Sequence, residues 1–312
     1  MGQSARDLGD AMLDDRDVTT DRKTRAAAWF RRLRDDIVTA FEAVEDVDVD
    51  GPGAAGALPP GRFEVTPTAR TAPDGTDAGG GVMSVLRGGR HFEKVGVNWS
   101  EVHGTLAPRA VAAMAARKDI PGMADDPRFW ASGISLVAHM RNPHVPAVHM
   151  NTRMFWTPHA SWFGGGSDLN PAIPRDEDTA HFHAQMAAAC DGEDGRYERL
   201  KAWADEYFFI PHRKRARGVG GIFYDDLDTE DWEADFAFTQ SVGRHFLPAF
   251  LPLVERRMAE PYGEAEVDAQ LIHRGLYAEY NLVYDRGTKF GLETGHDPDA
   301  VLMSLPPVAK WR

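Results

Sequence analysis

Strand-like runs closed by short glycine turns fill the middle of this chain, and they constrain its fold more than any other feature. In GVMSVLRGGRHFEKVGVNWSEVHG, two alternating runs flank Arg-Gly-Gly-Arg, which reads as a hairpin and therefore as antiparallel pairing. Further β-branched and aromatic runs read as strands: GISLVAH, AVHMNTRMFW, GGIFYDDL, LYAEYNLVYD and AVLMSLPP. Helical spacing appears elsewhere. Trp29, Leu33, Ile37, Phe41 and Val44 recur at a helical period between Thr24 and Glu45, and DEDTAHFHAQMAAACD offers Asp178 as an N-cap. GRYERLKAWADEYFF reads as another helix, followed by TEDWEADFAFTQSVGRHFLPAFLPLVERRM. The aromatic stripe Trp232, Phe236, Phe246 and Phe250 of this last segment is core-facing, and Pro248 and Pro252 are expected to kink or break it.

Two segments lack such patterning. Residues 1–23 are charged and free of aromatics up to the first helix, and are expected to form a disordered leader. Residues 46–81, rich in glycine and proline, are expected to be a long loop inserted into a single domain over 24–312. The 312 residues contain 43% hydrophobic side chains, ample for a core, and 35 basic against 48 acidic residues leave a formal charge of −13. No basic footprint for nucleic acid exists, so an anionic ligand must be met by locally placed arginines. No apolar run approaches the roughly 20 residues of a membrane span. With one cysteine, Cys190, no internal disulfide can form; a soluble protein of the cytoplasm is expected.

SLVAHMRNPHVPAVHMNTRMFW concentrates the chemistry. Successive strand side chains alternate between faces, so Ser135, Val137 and His139 share one face, and His149, Asn151, Arg153 and Phe155 share another. Pro143 and Pro146 favour a turn between them, and folding back would bring the two faces together. The alternative is a wet, purely solubilising face. In YAEYNLVYDRG the same rule groups Tyr277, Glu279, Asn281, Val283 and Asp285, with Arg286 opening a turn. Three glycines precede Ser167 and Asp168 in WFGGGSDLNP, where bare backbone admits close approach of a ligand. His139, His149, His181 and His212 could hold a cation if the fold gathered them. Their spacing matches no metal motif, and His181 and His183 on a helix point about 200° apart. P-loop, GxGxxG and GxSxG motifs are missing.

Six segments in order, GVNWSEVHG, ISLVAHMRNPHVPAVHMNTRMFW, WFGGGSDLNP, YFFIPHRKRARGVGGIFYDDL, YNLVYDRGTKFGLETG and AVLMSLPPVAKW, resemble the oxygen-dependent coproporphyrinogen-III oxidases, over about residues 24–312. The resemblance implies an α+β fold, a large flat antiparallel sheet between helices on both faces, in a homodimer. It implies oxidative decarboxylation of two propionates of coproporphyrinogen III to vinyls, using molecular oxygen and no organic cofactor, to give protoporphyrinogen IX. Carried over by residue, Ser135, Asn151, Thr152 and Arg153 match substrate contacts, with Arg153 pairing a propionate, and His149 matches a proton donor. Asp168 and Asp285 match acids facing the pyrrole nitrogens. His139, His149, His181 and His212 match divalent-cation positions, and Arg286, Gly295, His296 and Asp297 fall on further substrate contacts. Two departures stand out: relatives are expected to continue past AKWR, and His296-Asp297 replaces a Gly-Arg-type pair. An inactive tetrapyrrole-binding protein and a different histidine-metal enzyme acting on organic acids are the competing readings.

Overall fold

The computed structural model describes residues 5–49, 58–293 and 297–312. In chain order its elements are α1 (Ala5–Glu45), β1 (Glu64–Thr71), β2 (Asp77–Arg87), β3 (Phe92–Thr105), α2 (Pro108–Ala115), β4 (Arg128–Met140), β5 (Ala147–Trp156), β6 (Ser161–Asn170), α3 (Asp176–Ala189) and α4 (Arg196–Tyr207). A small hairpin follows, β7 (Phe209–Ile210) and β8 (Arg215–Ala216), then β9 (Gly220–Leu227), α5 (Trp232–Arg257), α6 (Glu264–Val283), α7 (Arg286–Glu293) and α8 (Pro298–Val301). Seven strands form one sheet in the order β1-β2-β3-β4-β5-β6-β9, antiparallel at every step. Helices cover both faces, so the expected three-layer α+β architecture is the one observed.

Period-two alternation sorts the sheet into an apolar face and a polar one. On the apolar face Ile134, Leu136, Val148, Met150, Met154, Phe163, Leu169 and Ile222 pack under α1, α3 and α5 in the main core. Phe41 of α1 lies 4.7 Å from the Phe92 ring and 6.0 Å from that of Phe250, edge-on to the latter. The helix expected from Thr24 begins already at Ala5, so the leader is helical from residue 5 on.

Helix α5 runs unbroken through Pro248 and Pro252, contrary to expectation. Pro252 has no N–H to offer the carbonyl of Pro248 one turn earlier. His181 Nε2 supplies the missing donor at 3.0 Å, while Ala249, Phe250, Leu253 and Val254 hold the turn by burial. Asp231, not a proline, sets where this helix starts, its carboxylate accepting from Ala234 N.

Four other expectations are corrected. YAEYNLVYD is the last part of α6, because the buried positions Gln270, Arg274, Tyr277, Ala278 and Asn281 follow helical spacing. Several of these are polar, which hides the period from a hydrophobicity reading. AVLMSLPP forms the end of α8 and a short 3₁₀ turn, Leu302–Ser304. Asp178 does not cap α3: Arg175 occupies that position, and Asp178 is buried against Arg256 and Arg257. Within the expected loop 46–81, residues 64–71 form the edge strand β1 and residues from 77 on belong to β2; residues 50–57 lie outside the described residues. Pro67 is tolerated because an edge strand need not donate on its outer side.

Candidate active site

The opposite face of the sheet is polar, and register explains how its residues meet. Ser135 pairs with Asn151, Val137 with His149 and Gly133 with Arg153, so the two faces inferred from alternation are one. The next strand places Asp168 beside His149, Gly166 beside Asn151 and Gly164 beside Arg153, and β3 adds Asn98 opposite Ser135. Two apolar clusters cover the ends of this face. One, with Met123, Phe129, Phe155 and Trp162, packs near α2; the other joins Ala204 and Phe208 to Phe223 and Tyr280 of α6. Ser135 is exposed although it sits on the fourth of seven strands, so the floor between the clusters is open.

Bare backbone keeps that floor flat. A Cβ on Gly164 would lie 2.9 Å from both Arg153 Nη2 and Asp225 Oδ1, so the Arg153–Asp225 ion pair, 2.6 Å long, passes directly over this glycine. At Gly133 a Cβ would come within 2.8 Å of Arg153 Cβ. Asp225 is buried and gathers two further arginines, Arg117 at 3.3 Å and Arg286 at 3.8 Å.

His149 sits at the edge of the floor with Nδ1 2.8 Å from Asp168 Oδ1. A carboxylate can only accept, so Nδ1 carries the proton and Nε2 is the nitrogen left for a reacting group. Asp168 is wholly buried and fully engaged: Arg217 grips it with Nε at 3.0 Å and Nη2 at 2.7 Å, and Asn170 Nδ2 donates at 2.9 Å. Burial alone would raise the Asp168 pKa, but the Arg217 guanidinium and His149 overcome it and hold the carboxyl well below the usual range. Arg217 lies in a cage of rings, 4.1 Å from Phe208, 4.8 Å from Tyr277 and 4.6 Å from Tyr280. The chain Arg217–Asp168–His149 thus fixes the imidazole from behind.

Other expected site residues lie elsewhere. Thr152 is buried on the apolar face, so its side chain is separated from the floor by the sheet. Asp168 cannot face a ligand while Arg217, His149 and Asn170 use its oxygens. The Asp285 carboxylate accepts from Thr288 N and Oγ1 at 2.7 and 2.9 Å and from the Tyr207 hydroxyl at 3.1 Å, which makes it the cap of α7. Arg286, the first residue of that helix, stacks over the Tyr207 ring at 4.9 Å and reaches toward Asp225. Asp297 caps α8 through Asp299 N, and Gly295 and His296 lie outside the described residues.

The four histidines do not form one cation site. His181 is on α3, beneath the apolar face; His139, His149 and His212 are on the other side of the sheet. Each has a ring nitrogen committed: His139 Nε2 donates to Ser304 O at 2.9 Å, and His212 bonds Tyr284 Oη at 2.8 Å and Glu279 Oε2 at 2.6 Å. Among the described residues no group of three or more histidine, cysteine or acidic side chains converges as metal ligands do.

Burial pushes the His139 imidazole down from 6.5 to about 3, with Arg274, Lys94 and His273 adding repulsion and the Ser304 carbonyl opposing it. His273 falls to about 4, again by burial first. Both are neutral when folded and take up a proton on unfolding below pH 6.5, so stability is complete above that pH and declines as pH falls toward 4. Urea unfolding across this window is expected to weaken by about 1.4 kcal/mol per pH unit for each histidine, and His139→Gln to remove one such share. A flat profile would contradict the burial of neutral rings.

Arg217, Asp225 and Arg117 were missed by sequence reasoning. Two adjacent acids ending the apolar run GGIFYDD are the one local sign of Asp225; nothing local distinguishes Arg217 within RKRAR.

Comparison with known proteins gives the family. The family model of coproporphyrinogen III oxidase matches residues 25–312. The oxygen-dependent coproporphyrinogen-III oxidase of Rickettsia bellii (strain RML369-C) is 46% identical over 286 residues, covering 91% of this chain and 96% of the relative. Those of Rickettsia peacockii (strain Rustic) and Rickettsia felis (strain ATCC VR-1525 / URRWXCal2) are 44% identical over 295 residues and 46% over 292, covering 94% and 93% of this chain and 100% and 99% of theirs. The C-terminal extension expected of relatives is therefore not a feature of these three. With the family model matched over nearly its whole length, the chain belongs to the coproporphyrinogen III oxidase family.

Proposed function

We propose that this chain is an oxygen-dependent coproporphyrinogen-III oxidase that converts two propionate side chains of coproporphyrinogen III to vinyls, giving protoporphyrinogen IX in haem biosynthesis. Each propionate gives up carbon dioxide, one proton and two electrons. Two of them supply the four electrons that reduce one dioxygen to two waters, which take up the two released protons and two more from solvent. The observation that carries this reading is the patch around the exposed Ser135, flanked by the bare backbone of Gly133 and edged by the Arg153 guanidinium and by His149. A tetrapyrrole macrocycle, puckered at its methylene bridges in the porphyrinogen, needs a floor clear of side chains, and its carboxylates need a guanidinium at the rim.

Arg153 pairs a propionate, Ser135 and Asn151 bond the ring edge, and His149 Nε2 moves a proton at the reacting side chain. Asp168 and Arg217 act through His149 by holding its ring. Asp285 acts through α7, whose start it caps beside Arg286. No step is assigned to a metal, since the histidines expected to bind one are divided by the sheet. A homodimer is proposed on the family resemblance, with sedimentation equilibrium as its test; no helix among the described residues is long and apolar enough to cross a membrane, and a cytoplasmic location is proposed.

The reaction is tested by incubating the purified chain with coproporphyrinogen III in air and under argon and following protoporphyrinogen IX. Product is expected only with oxygen; none in air would overturn the reading. Arg153→Met is expected to raise KM about tenfold or more while the protein stays folded, as the loss of a charge-assisted carboxylate contact requires. An unchanged KM would remove Arg153 from the propionate pocket.

A further inference from the structure

The reaction proposed above destroys an anion in a pocket built to hold one. When a propionate leaves as neutral carbon dioxide, the guanidinium that held it loses its counter-ion while still partly shielded from water, which is unfavourable. A resident carboxylate able to return to that guanidinium would keep the pocket neutral before and after turnover.

Asp225 is placed for this. Between Phe163–Leu227 and Gly165–Tyr224 the β6–β9 register shifts by one residue, so Asp225 and Asp226 together face Gly164 in a β-bulge. Asp226 takes a positive φ of 55°, and the bulge sends Asp225 onto the floor. Its Oδ1 receives Arg153 Nη2 at 2.6 Å and Asp226 N at 3.1 Å; its Oδ2 faces Arg117 Nη1 at 3.3 Å and Arg286 Nη2 at 3.8 Å. Burial differs sharply across the pair: the Asp225 side chain is 3% exposed, that of Arg153 35%. Arg153 gives the protein one nitrogen, and among the described residues its Nε and Nη1 make no hydrogen bond. Were Arg153 drawn toward a ligand, Asp225 would keep Arg117 and Arg286.

We propose that Asp225 is the exchange counter-ion of the propionate pocket: it holds Arg153 when no substrate carboxylate is present, yields it to one on binding, and takes it back after decarboxylation. This rests on the reading of Arg153 as the propionate ligand. Asp225 is a positioning residue that acts through Arg153, and as a competitor it weakens substrate binding.

The sign of that effect separates it from a structural role. Binding of coproporphyrin III, the oxidised ring with the same four propionates, is measured by fluorescence quenching, and turnover is measured in parallel. Asp225→Asn, which removes the competing charge and keeps the shape, is expected to bind the porphyrin roughly five- to tenfold tighter, with KM and kcat both falling. Unchanged or weaker binding by a folded variant overturns the proposal. Should Asp225→Asn fail to fold by circular dichroism, Arg117→Gln decides. Without Arg117, Asp225 concentrates on Arg153, so porphyrin binding is expected to weaken several-fold, and equal or tighter binding overturns the proposal. If the wild-type chain neither binds coproporphyrin III nor turns over coproporphyrinogen III, the underlying reading fails instead.

Discussion

Asp168→Asn is expected to lower kcat by roughly 10²- to 10⁴-fold, the range lost when a general acid or base is misplaced. The carboxylate now accepts on several sides at once: from His149 Nδ1, from two nitrogens of Arg217 and from Asn170. An amide has one oxygen: at the Oδ1 position it accepts from His149 Nδ1 and Arg217 Nη2 but turns its N–H groups toward Arg217 Nε and Asn170 Nδ2, and at the Oδ2 position it turns them toward His149 and Arg217 Nη2. Facing His149, an N–H would force the other tautomer and place the proton on Nε2. Facing Arg217, it would set donor against donor inside the aromatic cage. The same substitution removes the counter-ion of a guanidinium that is 2% exposed, which is expected to cost about 3–5 kcal/mol of stability. Turnover is therefore measured at a temperature where circular dichroism shows the variant folded. A kcat within threefold of wild type would refute the role given to the Arg217–Asp168–His149 chain.

Glu45→Ala is expected to be the most damaging single change to stability. Glu45 closes α1, is wholly buried, and accepts four backbone N–H groups: Gly61 at 2.7 Å and Arg90 at 2.6 Å on Oε2, His91 at 2.8 Å and Phe92 at 2.7 Å on Oε1. A Cβ on Gly89 would lie 2.7 Å from Oε1, so the turn between β2 and β3 wraps closely around the carboxylate. Removing it strands several donors away from water, each costing about 1–3 kcal/mol when unmet. Their sum is comparable with the whole stability of a typical domain, about 5–15 kcal/mol. Urea unfolding should show a midpoint near zero denaturant. Glu45→Gln retains one acceptor oxygen and should fall between; a midpoint close to wild type for the alanine variant would refute the staple.

The helical period of α1 was legible because Phe30, Leu33, Ile37, Phe41 and Val44, which recur along its buried stripe, are apolar. Helix α6 was not, since Tyr277, Glu279 and Asn281 alternate over a short window like a strand while its buried stripe includes Gln270, Arg274 and Asn281. Each of those polar groups is satisfied by a partner distant in sequence or one turn away: Gln270 and Arg274 by the carbonyl of Met140, Asn281 by that of Tyr277. Hydrophobic periodicity cannot register a burial that hydrogen bonds make possible. The fate of the histidines was equally hidden, because His181 meets an orphaned carbonyl on α5 and His139 meets the C-terminal segment.

By itself the sequence determined that β4 and β5 are antiparallel strands joined by a proline-containing turn, and that Ser135, His149, Asn151 and Arg153 share a face, since alternation along a strand is a property of the backbone. It also determined the family, through six ordered segments. Tertiary structure alone decided that Asp168 is spent on Arg217 and His149, and that a bulge in β9 carries Asp225 to Arg153. These outcomes depend on strand register and on helices packed from distant parts of the chain. The energy of a buried charge is set by its neighbours in space, and local residue order does not contain them.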